Sequence, residues 1–345
     1  GREAVLKLAW TPVDRMPEGA VYDVLRHNGV QGVPEIYTRG LLVKNLEGYR
    51  LEIIVMEYCG ESVASFFEDS DVLLSLHGKV ALVVRQVTSC LAQARSAGVL
   101  HRDISQGNIA VEDNPETDSY VAKVIDWGHA KVIGSECSIY QRVAKHWQFN
   151  YGVVGRKEKA KDPLTGTPLY MSISILNGAK RRGIMDDIES LFYVVLRALR
   201  PSKERAADKI ATDRVNAGFT NIPNDELPPA GFQFEKTQRN LSLVRICCLS
   251  SEEHWPSQFG VTSDDSGVLR LLQSMRSFLF EEDGVFIGNR LYFDASYNRK
   301  FNHQAAAEFM DEDTIAKLQE KLQNANEQSK ISPLKKHDNK RMRRE

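Results

Sequence analysis

Asp103 and Asn108 stand five residues apart in the stretch His101-Arg102-Asp103-Ile104-Ser105-Gln106-Gly107-Asn108, and Asp126 follows eighteen residues later. Two carboxylates and an amide at this spacing suit phosphoryl transfer. That chemistry needs a carboxylate to orient the attacking hydroxyl and accept its proton. It also needs oxygen ligands for a metal ion bridging the phosphates, and a cation on the phosphates themselves. Asp103 fits the first role, and Asn108 and Asp126 fit the metal ligands. Gly128, two residues beyond Asp126, lets the backbone turn there. Singly, each piece is ordinary, since a loop Asp or a D-x-G is most often a turn. Their joint spacing outweighs that reading.

The surrounding pattern places these groups at one rim. Val99-Leu100 is a brief apolar run directly before His101. Residues 108–111 and 120–125 read as short strands, with Pro115 near the turn between them. Upstream, Val80, Val83, Val84, Val87, Leu91 and Ala94 recur at three- and four-residue steps, a helix with one apolar face that Gly98 ends. Residues 187–199 are apolar nearly all round, as in a helix buried in the middle of a lobe. Nearer the start, 3–10 reads as a strand and 18–28 as a short helix, with Pro17 in its first turn and Gly29 as its stop. Residues 35–37 and 51–56 read as strands joined through the polar stretch around Asn45 and Gly48, and Tyr58-Cys59-Gly60 reads as a hinge. Residues 267–279 and 313–328 read as further helices, the second capped by Asp311 or Asp313.

The chain has 345 residues, 42% hydrophobic and 26% charged, enough for one large domain or two lobes. Its net charge of −1 supplies no global field toward nucleic acid or membrane, so no direct nucleic-acid binding is expected. The longest apolar runs, such as 191–196, are far too short to span a bilayer, and no secretory signal opens the chain. Cys59, Cys90, Cys137, Cys247 and Cys248 are odd in number and lack metal-type spacing. They read as free thiols in a reducing compartment, so an intracellular place, cytoplasmic or nuclear, is expected. From Ser329 the composition turns basic and almost free of apolar residues. That tail reads as disordered, with a nuclear-import address as an equal alternative.

Here the residues carry a family resemblance. His101-Arg102-Asp103 to Asn108 resembles the protein-kinase catalytic loop, and Asp126-Trp127-Gly128 stands where that family has D-F-G. The wording is closer to the fungal-type protein kinase-like family, through 101–109, Ile125-Asp126-Trp127, and Thr165-Gly166-Thr167-Pro168 followed by Tyr170-Met171-Ser172-Ile173. The resemblance covers roughly residues 3 to 200. It implies an α+β, bilobal protein-kinase-like fold: a truncated N-terminal β lobe over 1–58, a mainly helical C-terminal lobe over 59–328 with an activation segment at 126–174, and the basic tail over 329–345. It further implies ATP and Mg2+ as cofactors and a protein substrate bearing serine or threonine hydroxyls.

Residue by residue, Lys7 resembles the strand lysine that holds the α- and β-phosphates, and Glu18 the helix glutamate that pairs with it. Met56 resembles the residue at the back of the adenine pocket, and Glu57 and Cys59 would offer backbone groups to the adenine edge. Arg102 resembles the arginine that can pair with a phosphate on the activation segment. Thr167 resembles the threonine below the substrate hydroxyl, near Asp103. Asp187 resembles the buried-helix aspartate that holds the catalytic-loop backbone. Outside the resemblance, Lys7 would read as an exposed strand-edge lysine and Asp187 as a simple N-cap.

Four departures matter. The chain begins at the lysine strand, so the glycine-rich strand pair that should cover the phosphates is not in this sequence. Ser105 stands where serine/threonine kinases usually carry a lysine. Ser174 stands where a glutamate normally anchors the segment through a buried arginine, so either that arginine is also missing or the segment is looser. Asp126 and Ser174 lie 48 positions apart, with a charged middle at 156–162 that reads as a solvated loop or, more sharply, as a docking insert. The missing glycine-rich pair and Ser174 favour a competing reading, a kinase-like binding protein without turnover, against which Lys7, Asp103, Asn108 and Asp126 speak. A third is a small-molecule phosphotransferase of the aminoglycoside or choline kinase type, against which Arg102 and Gly166-Thr167-Pro168 speak.

Overall fold

Alternation along one strand organises the N-terminal part. In strand β3 (Tyr49–Glu57) every second residue is buried, namely Arg50, Glu52, Ile54 and Met56. That is the period of a pleated strand with one covered face. β3 is the middle of an antiparallel sheet, flanked by β1 (Ala4–Pro12) and β2 (Ile36–Leu46). Lys7 pairs with Ile54 at the centre of this register. Helix α1 (Glu18–His27) buries Ala20, Val21, Val24 and Leu25. Pro17 stands one position before its first turn, and Gly29 follows its end in the left-handed region at φ 67°. The structure describes residues 3–69, 74–114, 119–133, 138–147, 165–177, 182–199, 265–282 and 285–286, as a computed structural model.

β2 is far longer than the sequence pattern 35–37 indicates. Arg39, Gly40 and Lys44 interrupt its apolar run, and pairing with β3 carries it across three register shifts. The two strands turn at Glu47 and Gly48, both at positive φ, as a tight hairpin between twisted strands requires.

Past residues 58–60 the described residues are mainly helical. The short strand β4 (Glu61–Ser62) leads into helix α2 (Val63–Glu68), where the Ser62 hydroxyl accepts from Ser65 N. Helix α3 (Leu76–Ser96) starts at a Ser75 cap and buries Val80, Val83, Val84 and Val87 completely. Strands β5 (Val99–Leu100), β6 (Ile109–Asn114), β7 (Ser119–Val124) and β8 (Lys131–Val132) surround the His101–Asn108 loop. They pair as a β4-β6-β7 sheet and a β5-β8 ribbon. Helix α4 (Ser138–His146) and helix α5 (Ile173–Leu176) follow. Helix α6 (Ile184–Ala198) is the centre of the core, and α7 (Ser266–Phe280) packs on it with Phe192 and Phe280 rings 5.8 Å apart. Each of its buried Leu, Ile, Val and Phe side chains contributes about 1.5–3 kcal/mol relative to exposure. Strands β9 (Glu281–Glu282) and β10 (Val285–Phe286) form a small ribbon after α7.

The chain is thus mixed α/β, with small sheets and several helices, as a bilobal kinase-like fold requires. One expectation is corrected. Asp187 is not an N-cap: α6 starts three residues before it, behind Gly183, whose N–H donates to Asp186 Oδ2 over 2.7 Å. α2, of six residues, and α4, of nine, are too short to show an apolar period in the sequence. Among the described residues no helix is long and apolar enough to cross a membrane. Cys59 and Cys90 are free and buried. Pro115, Cys137, Cys247, Cys248, the charged stretch 156–162, the helix read at 313–328 and the basic tail lie outside the described residues.

Candidate active site

Lys7 reaches from the middle of β1 to two carboxylates. Its Nζ lies 2.7 Å from Glu18 Oε2 on α1 and 2.7 Å from Asp126 Oδ1. Burial opposes the Lys7 charge, but Glu18 and Asp126 outweigh it and raise the pKa above the ordinary lysine value. Burial lifts the Glu18 carboxyl, against the pull of Lys7. Burial also works to lift Asp126, yet Lys7 beside it brings its pKa below the ordinary value.

Lys7 and Glu18 lie only eleven positions apart, and one side chain that the sequence does not flag closes that connection. The Arg50 guanidinium donates to the carbonyls of Pro12 (3.1 Å), Val13 (3.5 Å) and Arg15, and pairs with Glu52 at 3.4 Å. Two charges on the covered face of β3 were the available signal.

Asp126 itself takes the left-handed conformation, at φ 60°. Gly128 does not, which corrects the expectation that its backbone freedom makes the turn. It leaves room instead: a methyl on Gly128 would lie 3.2 Å from Glu18 Oε2. Between them Trp127 is fully buried, donating Nε1 to Val124 O over 2.9 Å and meeting the His101 ring edge-on at 4.6 Å.

His101 joins the two halves of the site. Its Nδ1 accepts from Asp103 N at 3.2 Å, so the neutral ring donates through Nε2 to Ile125 O at 3.1 Å. Burial lowers its pKa to about 4. Asp187 secures the loop from below, with Oδ2 accepting from His101 N (3.0 Å) and Oδ1 from Arg102 N (2.9 Å). Arg102 sits there at φ 74°, a conformation costly for a non-glycine residue unless its surroundings hold it. Burial pushes the Asp187 carboxyl up to about 7, against those two N–H bonds.

The Asp103 carboxylate is fixed on both sides. Its Oδ1 accepts the Thr167 N–H at 2.8 Å and the Thr167 hydroxyl at 2.9 Å. Asn108 Nδ2 donates to Asp103 O at 2.8 Å and lies 3.4 Å from Asp103 Oδ2, which leaves the Asn108 amide oxygen as an acceptor. Asn108 and Asp126 thus present hard oxygen donors, the kind Mg2+ takes when phosphate oxygens complete its shell. Among the described residues no group of three or more His, Cys, Asp or Glu could hold a metal unaided. A metal at this rim would depend on phosphate ligands.

The segment 165–174 is tied down with the polarity opposite to that expected. Ser172 Oγ (2.5 Å) and Ser174 Oγ (2.7 Å) both donate to Asp186 Oδ1, and Ile173 N donates to Glu189 Oε1 at 2.7 Å. Ser174 therefore does not leave the segment loose: α6 supplies the carboxylates and the segment supplies the donors. Arg102 Nη2 donates to Thr165 Oγ1 at 3.0 Å, while Arg182 donates to Arg102 O (2.8 Å) and to Thr165 O. Gly166 is required between them, at φ 109°, because a methyl would lie 2.7 Å from Arg102 O. Arg182, Asp186 and Glu189 were missed in the sequence. Adjacent acids opening an otherwise apolar helix could have signalled Asp186 as well as Asp187.

At the hinge, Met56 is buried at the end of β3. The Glu57 N–H is committed to Glu35 O (3.0 Å), and its carbonyl accepts the Cys59 thiol at 3.6 Å. The Glu57 carboxylate accepts from Glu35 N (2.6 Å) and meets Lys123 Nζ at 2.8 Å. Cys59 is buried, and burial pushes its thiol up to about 12.

Residues 43–199 match the model of the fungal protein kinase family. The chain is 31% identical over 196 residues to the serine/threonine-protein kinase SSK22 of Saccharomyces cerevisiae, covering 52% of this chain and 13% of that protein. It is 29% identical over 206 residues to the MAP kinase kinase kinase SSK2 of the same yeast, covering 52% and 12%. It is 30% identical over 137 residues to the serine/threonine-protein kinase pkn3 of Myxococcus xanthus, covering 39% and 22%. The chain thus spans less than a quarter of the length of these curated relatives. The family match takes in residues 58–60, the His101–Asn108 loop, Asp126 and α6, whereas Lys7 and Glu18 lie outside it. Residues 43–199, which carry Asp103, Asn108, Asp126 and Asp187, are thus similar to the fungal protein kinase family.

Proposed function

We propose that the protein transfers the γ-phosphoryl group of ATP to serine or threonine hydroxyls of a protein substrate, with Asp103 receiving the hydroxyl proton. The observation that carries this reading is the Asp103 carboxylate, held by both donors of Thr167 and flanked by Asn108. One oxygen is fixed by the segment and the other faces the rim, as a group that must orient an incoming hydroxyl requires. The relatives' names, two of them serine/threonine-protein kinases, support the acceptor class.

Mg-ATP, when bound, supplies the phosphoryl group and the charge that neutralises its transfer. Lys7, braced by Glu18, holds phosphate oxygens. Asn108 and Asp126 offer the metal its protein ligands, and Met56, the Glu57 carbonyl and Cys59 border the base. Arg102 and Asp187 hold the loop, and Thr167 holds Asp103. In this reading 1–58 forms the sheet lobe, 59–328 the helical lobe and 126–174 the activation segment. The buried free thiols of Cys59 and Cys90 support an intracellular place.

The test is purified protein with γ-labelled Mg-ATP, a mixed serine/threonine peptide set, and choline and aminoglycosides in parallel. Label on peptides that is lost in Asp103→Ala supports the proposal. Nucleotide binding without transfer would make this a kinase-like binding protein, and label on the small molecules alone would overturn the acceptor class.

A further inference from the structure

Helix α4 comes after the Asp126-Trp127-Gly128 turn and β8, and it lies against α1, the helix that carries Glu18. Gln141, Arg142, Lys145 and His146 of α4 are exposed. Val143 and Trp147 are buried. The Trp147 indole N–H donates to Asp23 Oδ2 at 2.8 Å, in the interior, and the other oxygen of Asp23 pairs with Arg39 of β2. The ring lies over Gly19: a methyl there would sit 2.5 Å from Trp147 Cη2 and 2.8 Å from Cζ2. Gly19 is the immediate neighbour of Glu18.

A solvated loop helix needs none of this. A buried indole whose N–H meets a buried carboxylate, with a glycine opposite to admit the ring, is a fitted contact. It also falls where α1 needs support. The first turn of α1 has no capping side chain, since Pro17 precedes it. Glu18 stands in that turn and must present Oε2 to Lys7.

We propose that Trp147 is a positioning residue: it presses the first turn of α1 into place and so sets Glu18 against Lys7, coupling the segment after Asp126 to the phosphate-holding lysine. Asp23, on α1 itself, takes the indole N–H, and Arg39 braces that carboxylate from β2. The proposal rests on the kinase reading of the Lys7–Glu18 pair.

The test compares Trp147→Ala, Trp147→Phe, Gly19→Ala and the Gly19→Ala/Trp147→Ala double variant. Steady-state kinetics and hydrogen exchange of the α1 amides are both read. Trp147→Ala should raise KM for Mg-ATP by about fivefold or more, leave KM for peptide unchanged, and speed exchange in the first turn of α1. Trp147→Phe, which keeps a ring, should recover most of both effects. Gly19→Ala should reproduce the defect, and adding Trp147→Ala to it should produce no further loss, because the two changes act on one contact. Unchanged KM for Mg-ATP with unchanged α1 exchange in Trp147→Ala would overturn the proposal, as would additive losses that follow only thermal stability. If the wild type transfers no phosphate, the kinase reading fails on that result, while α1 exchange still decides whether Trp147 holds the helix.

Discussion

Ser174 donates its hydroxyl to Asp186 Oδ1 over 2.7 Å, in the buried space between the segment 165–174 and α6. Ser172 meets the same oxygen at 2.5 Å, and the other Asp186 oxygen accepts from Gly183 N. Burial raises the pKa of Asp186, and these donors oppose that rise. A buried carboxylate persists in a core only when its lone pairs are met. The two hydroxyls thus serve the role that a segment glutamate and a buried arginine serve in the pattern the sequence resembles.

Removing either donor should therefore destabilise the fold and loosen the segment together. Ser172→Ala and Ser174→Ala should each cost about 1.5–3 kcal/mol, the range for hydrogen bonds to a charged group. Urea unfolding measures this, and KM for peptide should rise in both variants. Losses below about 0.5 kcal/mol, typical of unremarkable surface positions, would show that the anchor is not where the geometry places it.

Asp126→Ala should act on the metal-dependent part of nucleotide binding. Its Oδ1 is shared with Lys7, and in the proposed function its remaining oxygen would be the donor for Mg2+. Calorimetric titration with Mg-ATP should show affinity falling by about tenfold or more, or about 1.4 kcal/mol. ATP measured in chelator should bind the variant at least as well as the wild type, since the Lys7 ammonium loses a competing carboxylate. An equal loss with and without Mg2+ would remove Asp126 as a metal ligand.

His101 predicts an acid-side loss of stability. Its folded-state pKa, about 4, lies below the ordinary 6.5, so the unfolded chain takes up the proton first as pH falls. The contribution is complete above about pH 6.5, declines between about 6.5 and about 4, and levels off below, for a total of about 3 kcal/mol. Asp187 has the opposite sign: raised to about 7, it contributes stability that is present at acid pH and lost as pH rises through that value. The informative quantity is therefore the difference between wild type and His101→Tyr. The wild type should lose stability relative to the variant as pH drops through this window, and parallel curves would contradict a buried neutral imidazole.

Much of this site could be read in the sequence because the chemistry constrains it. Asp103, Asn108 and Asp126 must sit at one rim, and the short strands around them make that spacing visible in the chain. Helix α3 was visible through its apolar period, α6 through being apolar nearly all round, and α1 through Pro17 and Gly29 at its ends. Arg50, Arg182 and Asp186 were not, since their roles come from partners brought close by the fold. Arg50 closes a loop 35 or more positions away, and Arg182 bonds a carbonyl 80 positions away. The length of β2 was hidden for a related reason: it rests on pairing with β3 across bulges, over residues with little strand character of their own. Trp147 gave no local sign either, because the glycine that receives it is more than a hundred positions upstream.

The central claim is that Asp103 receives the proton of the attacking hydroxyl, and Asp103→Ala tests it most directly. Phosphate transfer to a serine/threonine peptide and Mg-ATP affinity should be measured on the same preparation. The account predicts that transfer is abolished, a loss of at least about a hundredfold, while Mg-ATP affinity and the unfolding midpoint stay near wild type. Transfer at the wild-type rate in Asp103→Ala would contradict it.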